Sequence, residues 1–236
     1  MKKTLSLLAA VALVAVASTA MASTISATKH NLSSGNVSGF NNGANLKGTG
    51  TQICVYCHTP HNAYTSAPLW NRNAGVIGAG SYTLYSGVGM SNVSYKSGFT
   101  ADSISLFCMS CHDGSALGGT MIKNVPISEP AGLGNSAAIG TTSKANLTAG
   151  GTDLRTTHPV NFPVTQNTQL DLQPIAAPFM GKAGGVQYPL FKSSRSGGVA
   201  NSLECSSCHS VHDNANAPFL RDTQTGSTLC LGCHNK

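Results

Sequence analysis

The chain has 236 residues, of which 14 are Lys or Arg and 8 are Asp or Glu, giving a formal net charge of +6. Only 9% of the residues are charged and 6% are aromatic, and no basic cluster with interleaved aromatic residues occurs. This composition excludes a nucleic-acid-binding surface. Without another source of apolar surface, a chain this polar and glycine-rich has a composition close to that of disordered proteins.

The first element, residues 1–22, has the pattern of a secretory signal peptide. A basic start precedes a largely apolar run over residues 5–17, and Ala20 and Ala22 frame a small-x-small cleavage site. The run is short for a membrane span, although an uncleaved anchor is the alternative reading. We expect an exported mature chain from Ser23, with 12 basic and 8 acidic residues and no membrane span.

All eight cysteines fall into four copies of Cys-x-x-Cys-His, here called sites 1 to 4 in chain order. In this motif two thioethers attach a c-type haem, and the histidine ligates its iron. Zinc sites, redox dithiols and disulfide frameworks also use Cys-x-x-Cys pairs, but none of them requires a histidine after every pair. The predicted cofactors are therefore four haem c groups. Their thioether cysteines are Cys54 and Cys57, Cys108 and Cys111, Cys205 and Cys208, and Cys230 and Cys233, and their proximal histidines are His58, His112, His209 and His234.

The segments between the sites show little periodicity. Residues 33–50, 75–98 and 132–151 are rich in Gly, Ser, Asn and Thr and predict loops. The X-Pro pairs at 125–126, 129–130, 162–163 and 173–174 predict breaks in any longer element. Short helical turns are expected where residues 105–107 and 202–204 lead into sites 2 and 3. The predicted fold class is mostly irregular or coil, with short α-helices around the haem motifs, small hairpins at most, and the haems as the core.

Four histidines remain outside the motifs, which matches the four distal positions that four haems require. They are His30, His61, His158 and His212. An isolated histidine is usually an ordinary surface or core residue, but the equal count indicates bis-histidine iron at every site. Four methionines are competing axial ligands, but Met109 lies inside the attachment motif of site 2, and Met90, Met121 and Met180 have no repeated placement.

Two of these histidines follow a proximal ligand by three residues: His61 after His58, and His212 after His209. A residue so close to the proximal ligand cannot reach the opposite face of the same iron. Each must ligate a different haem, and we expect each Cys-x-x-Cys-His-x-x-His segment to hold two irons close together.

The order of these parts occurs twice along the chain. Each half contains a histidine, then a motif with an additional histidine, then a second motif. This order predicts one dihaem module at 23–150 and another at 151–236, within one continuous haem-cored unit. The simplest pairing gives His30 to site 1 and His158 to site 3, with His61 and His212 serving sites 2 and 4. The spacing alone does not determine this permutation.

The segments 54–61 and 205–212, together with 29–32 and 157–160, resemble outer-surface multihaem cytochromes of metal-respiring bacteria. In haem number and size the chain is most similar to the tetrahaem OmcE type of that filament-forming (nanowire) class. The resemblance implies self-association into an extracellular filament with a continuous haem chain. It also implies that His61 is donated to a haem of the adjacent subunit, which conflicts with the simple pairing within one chain.

Three functions are compatible with these features. An electron conduit needs every iron six-coordinate, which the histidine count supplies, whereas an enzyme needs an open iron, so we expect no catalytic activity. A structural or adhesive fibre is the third. Within the conduit class, a monomeric periplasmic or secreted shuttle would show a charged docking face, and the few charges here favour assembly at the cell surface. The expected partners are electron-donor cytochromes and external acceptors such as metal oxides.

Overall fold

The structure, a computed structural model, describes residues 25–34, 50–64, 68–72, 79–85, 98–115, 138–149, 151–165 and 171–235. The predicted signal peptide, much of the loops at 33–50 and 75–98, the X-Pro pairs at 125–130, and Met90 and Met121 lie outside these residues. No helix within the described residues is long and apolar enough to cross a membrane.

Each of the four sites begins in a short helical segment. Site 1 starts in a 3-10 turn (Cys54–Tyr56), site 2 lies in α1 (Ser105–His112), site 3 in α2 (Cys205–Cys208) and site 4 in α3 (Thr228–Leu231). Residues three apart are neighbours on one helical face, so this conformation brings the two cysteines of each motif together. The predicted helical turns at the motifs are confirmed. Further 3-10 turns occupy Ala79–Ser81, Ser194–Ser196 and Thr225–Ser227.

Among the described residues, six short strands form two antiparallel sheets in the second half of the chain. They are β1 (Phe162–Pro163), β2 (Ile175–Ala176), β3 (Phe179–Met180), β4 (Tyr188–Pro189), β5 (Phe191–Lys192) and β6 (Ala200–Leu203). One sheet has the order β1-β6-β5 and the other has the order β2-β3-β4. The expectation of small hairpins is met, and β6 leads directly into site 3.

The break predicted at Pro163 is confirmed, since β1 is a two-residue edge strand that ends at this proline. Its missing N–H is tolerated because Asn161 and Val164 make the backbone bonds to β6 (2.6 and 2.8 Å). One local expectation is wrong. The approach to site 3 is a strand and not a helical turn, because Leu203 pairs with Phe162 and the helix begins only at Cys205.

Most of the described buried apolar residues form three small clusters, each beside Cys-x-x-Cys-His sites. The first joins Tyr56 and Ile139 with Cys57 and Cys111. The second packs under α1 and contains Tyr82, Leu84, Phe99, Leu106, Met109 and Leu154. The third contains Val164, Met180, Tyr188, Leu190 and Leu203, with Cys233 against it. Met109 and Met180 are therefore packing residues of these clusters.

Polar contacts join the two predicted modules. The Arg195 guanidinium donates to the carbonyl oxygens of Gly98 (2.7 Å) and Asn161 (3.1 Å), and the Thr100 N–H donates to Asn161 Oδ1 (2.8 Å). Ser194 Oγ donates to Asp102 Oδ1 (2.9 Å). The segments on either side of residue 150 thus pack against each other, and the division into two dihaem modules stays a prediction.

Gly232, inside site 4, has no room for a side chain. A methyl group at this position would overlap the ring of Tyr188, which is fully buried in β4 and donates to Asp222 (3.3 Å). We expect Gly232→Ala to lower the free energy of unfolding of the haem-loaded protein by about 1–3 kcal/mol, as overpacking does. Chemical denaturation followed by circular dichroism measures the loss.

Gly151→Ala is the matched control for that substitution. A methyl group at Gly151 would lie 3.5 Å from the Thr148 carbonyl oxygen, which is an ordinary contact. Its unfolding midpoint should stay near that of the wild type. Equal stability of the two variants would contradict the tight packing at site 4.

Candidate haem sites

The histidine of each motif is tied back to the turn that carries the cysteines. At sites 1, 3 and 4 its N–H donates to the carbonyl oxygen of the first cysteine, at 2.8, 3.1 and 2.8 Å. At site 2 the histidine is the last residue of α1. Two sulfurs and one imidazole are thereby held within one turn of chain, which is what attachment and ligation of a single haem require.

Three of the proximal imidazoles are oriented by a backbone carbonyl at Nδ1. The distance from Nδ1 to the carbonyl oxygen is 2.7 Å for His58 and Pro68, 2.6 Å for His112 and Ala145, and 3.1 Å for His209 and Pro218. When Nδ1 donates its proton to a carbonyl, Nε2 keeps the lone pair that binds a metal. These contacts prepare the rings for ligation through Nε2.

The carbonyls of Pro68 and Pro218 belong to matching segments that the sequence analysis missed. After each proline, Leu69 and Phe219 adopt the left-handed conformation, with φ of 60° and 62°. The carbonyls of these two residues accept the N–H that follows the proximal histidine, at 2.9 and 2.7 Å. The available signal was Ala-Pro followed by two apolar residues, at 67–70 and 217–220. The internal repeat therefore extends beyond the motifs.

Six of the eight histidine rings face each other in three proximal–distal pairs. The ring centroids are 6.1 Å apart for His112 and His30, 6.1 Å for His58 and His212, and 6.4 Å for His234 and His158. Two imidazole nitrogens bound to one metal ion, each about 2.0 Å from it, place the ring centroids about 6.3 Å apart. The three pairs have the separation that an iron between the two rings requires.

These pairs differ from the simplest pairing expected from the sequence. His30 lies against site 2 and not site 1, His158 against site 4 and not site 3, and His212 against site 1. In both halves, the segment before the first motif passes that motif and reaches the second one. Spacing along the chain does not reveal such a crossing.

The remaining two histidines are His61 and His209. His61 is exposed, and its carbonyl oxygen accepts the hydroxyl of Thr59 at 3.0 Å. His209 is the proximal residue of site 3, partly buried behind Pro218.

Burial favours the neutral form of three of the clustered imidazoles, those of His30, His112 and His209. It lowers the pKa of His30 to about 4, with smaller contributions from nearby His112, His209 and His212. Burial also lowers the pKa of His112 and of His209. A neutral imidazole has the free lone pair that a metal ligand needs.

The cysteines connect neighbouring sites in sequence order. Cys57 of site 1 and Cys111 of site 2 pack in the same apolar cluster, and burial together with the Cys111 thiol raises the pKa of Cys57 to about 12. The Cys108 thiol hydrogen bonds to Cys205, which raises the pKa of Cys108 and lowers that of Cys205.

The last connection joins sites 3 and 4. Burial, and then the thiols of Cys208 and Cys230, raise the pKa of Cys233 to about 12. Cys233 also packs against the apolar cluster that contains Leu203, two residues before Cys205. Sites 1, 2, 3 and 4 therefore adjoin one another in that order.

This order of sites shows which haem sites the two histidines of a His-x-x-His segment serve. His209 belongs to site 3, whereas His212, three residues later, faces His58 of site 1. Site 2 adjoins both of these sites through its two cysteines. The segment therefore carries ligands for sites 3 and 1, which are separated by site 2, whereas the spacing predicted ligands for adjacent irons.

A family description, "Doubled CXXCH motif", matches residues 197–236, which contain sites 3 and 4. A search of curated proteins finds no significant match. The doubled motif and the paired imidazoles support a multihaem c-type cytochrome with covalently bound haem, acting in electron transfer.

The pairing of His30 with site 2 has a direct test. His30→Ala should leave one ferric haem high-spin, which electron paramagnetic resonance detects. Adding Cys108→Ala and Cys111→Ala, which remove the haem of site 2, should abolish that signal. Adding Cys54→Ala and Cys57→Ala instead should leave it in place. The reverse outcome would assign His30 to site 1.

Proposed function

We propose that the chain carries four haem c groups in one row, in the order of sites 1 to 4, and conducts electrons along them. The observation that carries this proposal is the set of three imidazole pairs with centroid separations of 6.1–6.4 Å. The contacts between cysteines of successive sites support the continuity of the row.

Each site then has two imidazole ligands. The proximal and distal residues are His58 and His212 at site 1, His112 and His30 at site 2, and His234 and His158 at site 4. Haem c, when bound, supplies a one-electron Fe(III)/Fe(II) couple. The chain's contribution is to orient the proximal rings of sites 1 to 3 through their Nδ1 contacts and to hold the paired imidazoles at a fixed spacing.

Site 3 obtains its distal ligand from a neighbouring subunit, and His61 is the donor. The argument rests on the internal repeat. In the second half, His212 ligates the haem two positions back in the row, at site 1. His61 occupies the equivalent place after site 1, so its haem lies two positions before site 1. In a row continued from subunit to subunit, that haem is at site 3 of the preceding chain.

A distal ligand donated from one subunit to the next joins the haem rows of successive chains into a polymer. We therefore propose a secreted filament at the cell surface, of the type represented by tetrahaem OmcE, which takes electrons from donor cytochromes and delivers them to external acceptors such as metal oxides. With every iron six-coordinate, the protein is a conduit and not an enzyme. Two histidine ligands give lower potentials than a histidine and a methionine, which suits low-potential acceptors.

Electron microscopy of surface-sheared, haem-stained material tests the filament, with haem content measured by the pyridine haemochrome assay. We expect wild-type filaments with four haems per chain. His61→Ala should dissolve the filaments and leave one high-spin haem per chain, because site 3 loses its distal ligand.

His212→Ala is the matched control, since it removes the equivalent histidine of the second half. It should also create one high-spin haem, at site 1, but the filaments should persist because its partner His58 lies in the same chain. Wild-type protein recovered only as monomers would contradict the filament and favour a soluble shuttle.

A further inference from the structure

Glu204 is a fully buried carboxylate at the junction of sites 2 and 3. All its partners are donors, which is the arrangement that an ionised carboxylate accepts. The donors are Ser103 Oγ (2.7 Å), Ser105 Oγ (2.5 Å), Asn161 Nδ2 (2.9 Å) and Ser202 Oγ (2.8 Å). Ser105 begins α1 and Ser103 lies just before it, whereas Ser202 lies in β6 and Asn161 directly precedes β1.

The position of Glu204 ties its charge to two haems. Glu204 directly precedes Cys205 of site 3, and Ser105 lies three residues before Cys108 of site 2. The Ser105 hydroxyl bonds both to the Glu204 carboxylate (2.5 Å) and to the Cys205 N–H (3.0 Å). The carboxylate therefore lies next to the attachment points of both haems.

Arg72 is the corresponding cation at the junction of sites 1 and 2. Its side chain is fully buried, and its Nη2 donates to the carbonyl oxygen of Ser110, inside the motif of site 2, at 3.4 Å. The preceding residue, Asn71, bonds through its N–H to the Cys57 carbonyl oxygen of site 1 (2.8 Å). The guanidinium opposes the rise in the pKa of Cys57 and of Cys111 that burial causes.

Buried charges act strongly on a nearby redox centre. Reduction of Fe(III) to Fe(II) adds one electron and removes one unit of positive charge from the iron, with no bond made or broken at six-coordinate iron. A neighbouring cation favours this step and a neighbouring anion opposes it. Charges away from water are poorly screened, whereas exposed ones are weakened by solvent and salt.

We propose that Arg72 and Glu204 create a downward step in reduction potential along the row, in which Arg72 raises the potential at site 1 and Glu204 lowers it at site 3. Site 2 adjoins both charges, and its reduction potential lies between those of sites 1 and 3. Electrons held by a partly reduced row then reside at site 1 in preference to site 3. This inference rests on the proposed binding of haem at these sites.

The test is a redox titration of the haem-loaded full-length protein at an electrode, followed by absorption and by paramagnetic NMR of the haem methyl groups. Arg72→Met should lower the potential at site 1, and Glu204→Gln should raise it at site 3. We expect a change of about tenfold in the reduction equilibrium, which is 59 mV for one electron. Shifts of opposite sign distinguish the two charges from a general loss of packing.

Two variants serve as controls. Arg72→Lys keeps the cation and should retain a potential at site 1 near the wild-type value. Asp102→Asn removes an exposed carboxylate one residue before Ser103 and should leave all potentials unchanged. If one charge-removing variant fails to accumulate, the other still tests the direction of the potential shift at its own site.

Unchanged potentials, or shifts of the same sign in both variants, would overturn the proposed step. The pyridine haemochrome count separates this outcome from a failure of the proposed function. Four haems per chain with unmoved potentials would refute the role of the charges alone. Fewer than four in the wild type would refute the haem row itself.

Discussion

The proposed haem row depends on one geometric constraint: two imidazoles must face each other about 6.3 Å apart across the position of a single iron. Three such pairs occur in the described residues, formed by side chains from 76 to 154 residues apart in sequence. A chain that meets this requirement repeatedly has little need of long helices or wide sheets. The short turns, the two-residue strands and the small apolar clusters all lie around the motifs that the pairs join.

The pairs also reveal a rule that the two halves of the chain share. The histidine before the first motif of each half faces the second motif, and the additional histidine of the second half faces the haem site two positions back. Carbonyls from matching Ala-Pro segments orient the proximal rings of sites 1 and 3. A repeat of this kind extends naturally from one chain to the next, which is the physical basis of the proposed filament.

The attachment motifs and the candidate ligands could be recognised in the sequence because their chemistry is local: two cysteines and a histidine within five residues form the motif. The helical turns at the motifs follow from the same spacing. The pairing of histidines could not be predicted, because His30 and His112 meet only through the path of the intervening chain. Glu204 gave no signal either, since its importance comes from four donors contributed by separate segments. Ser202 and Leu203 lie in a strand because they pair with β1, a contact that local propensity does not encode.

The most direct measurement is the ligation state of every iron in the assembled wild-type protein. Low-temperature electron paramagnetic resonance together with near-infrared magnetic circular dichroism distinguishes bis-histidine iron from histidine–methionine and high-spin iron. The account predicts that all four ferric haems are low-spin with two imidazole ligands. A histidine–methionine band, or a high-spin haem in intact assemblies, would contradict it.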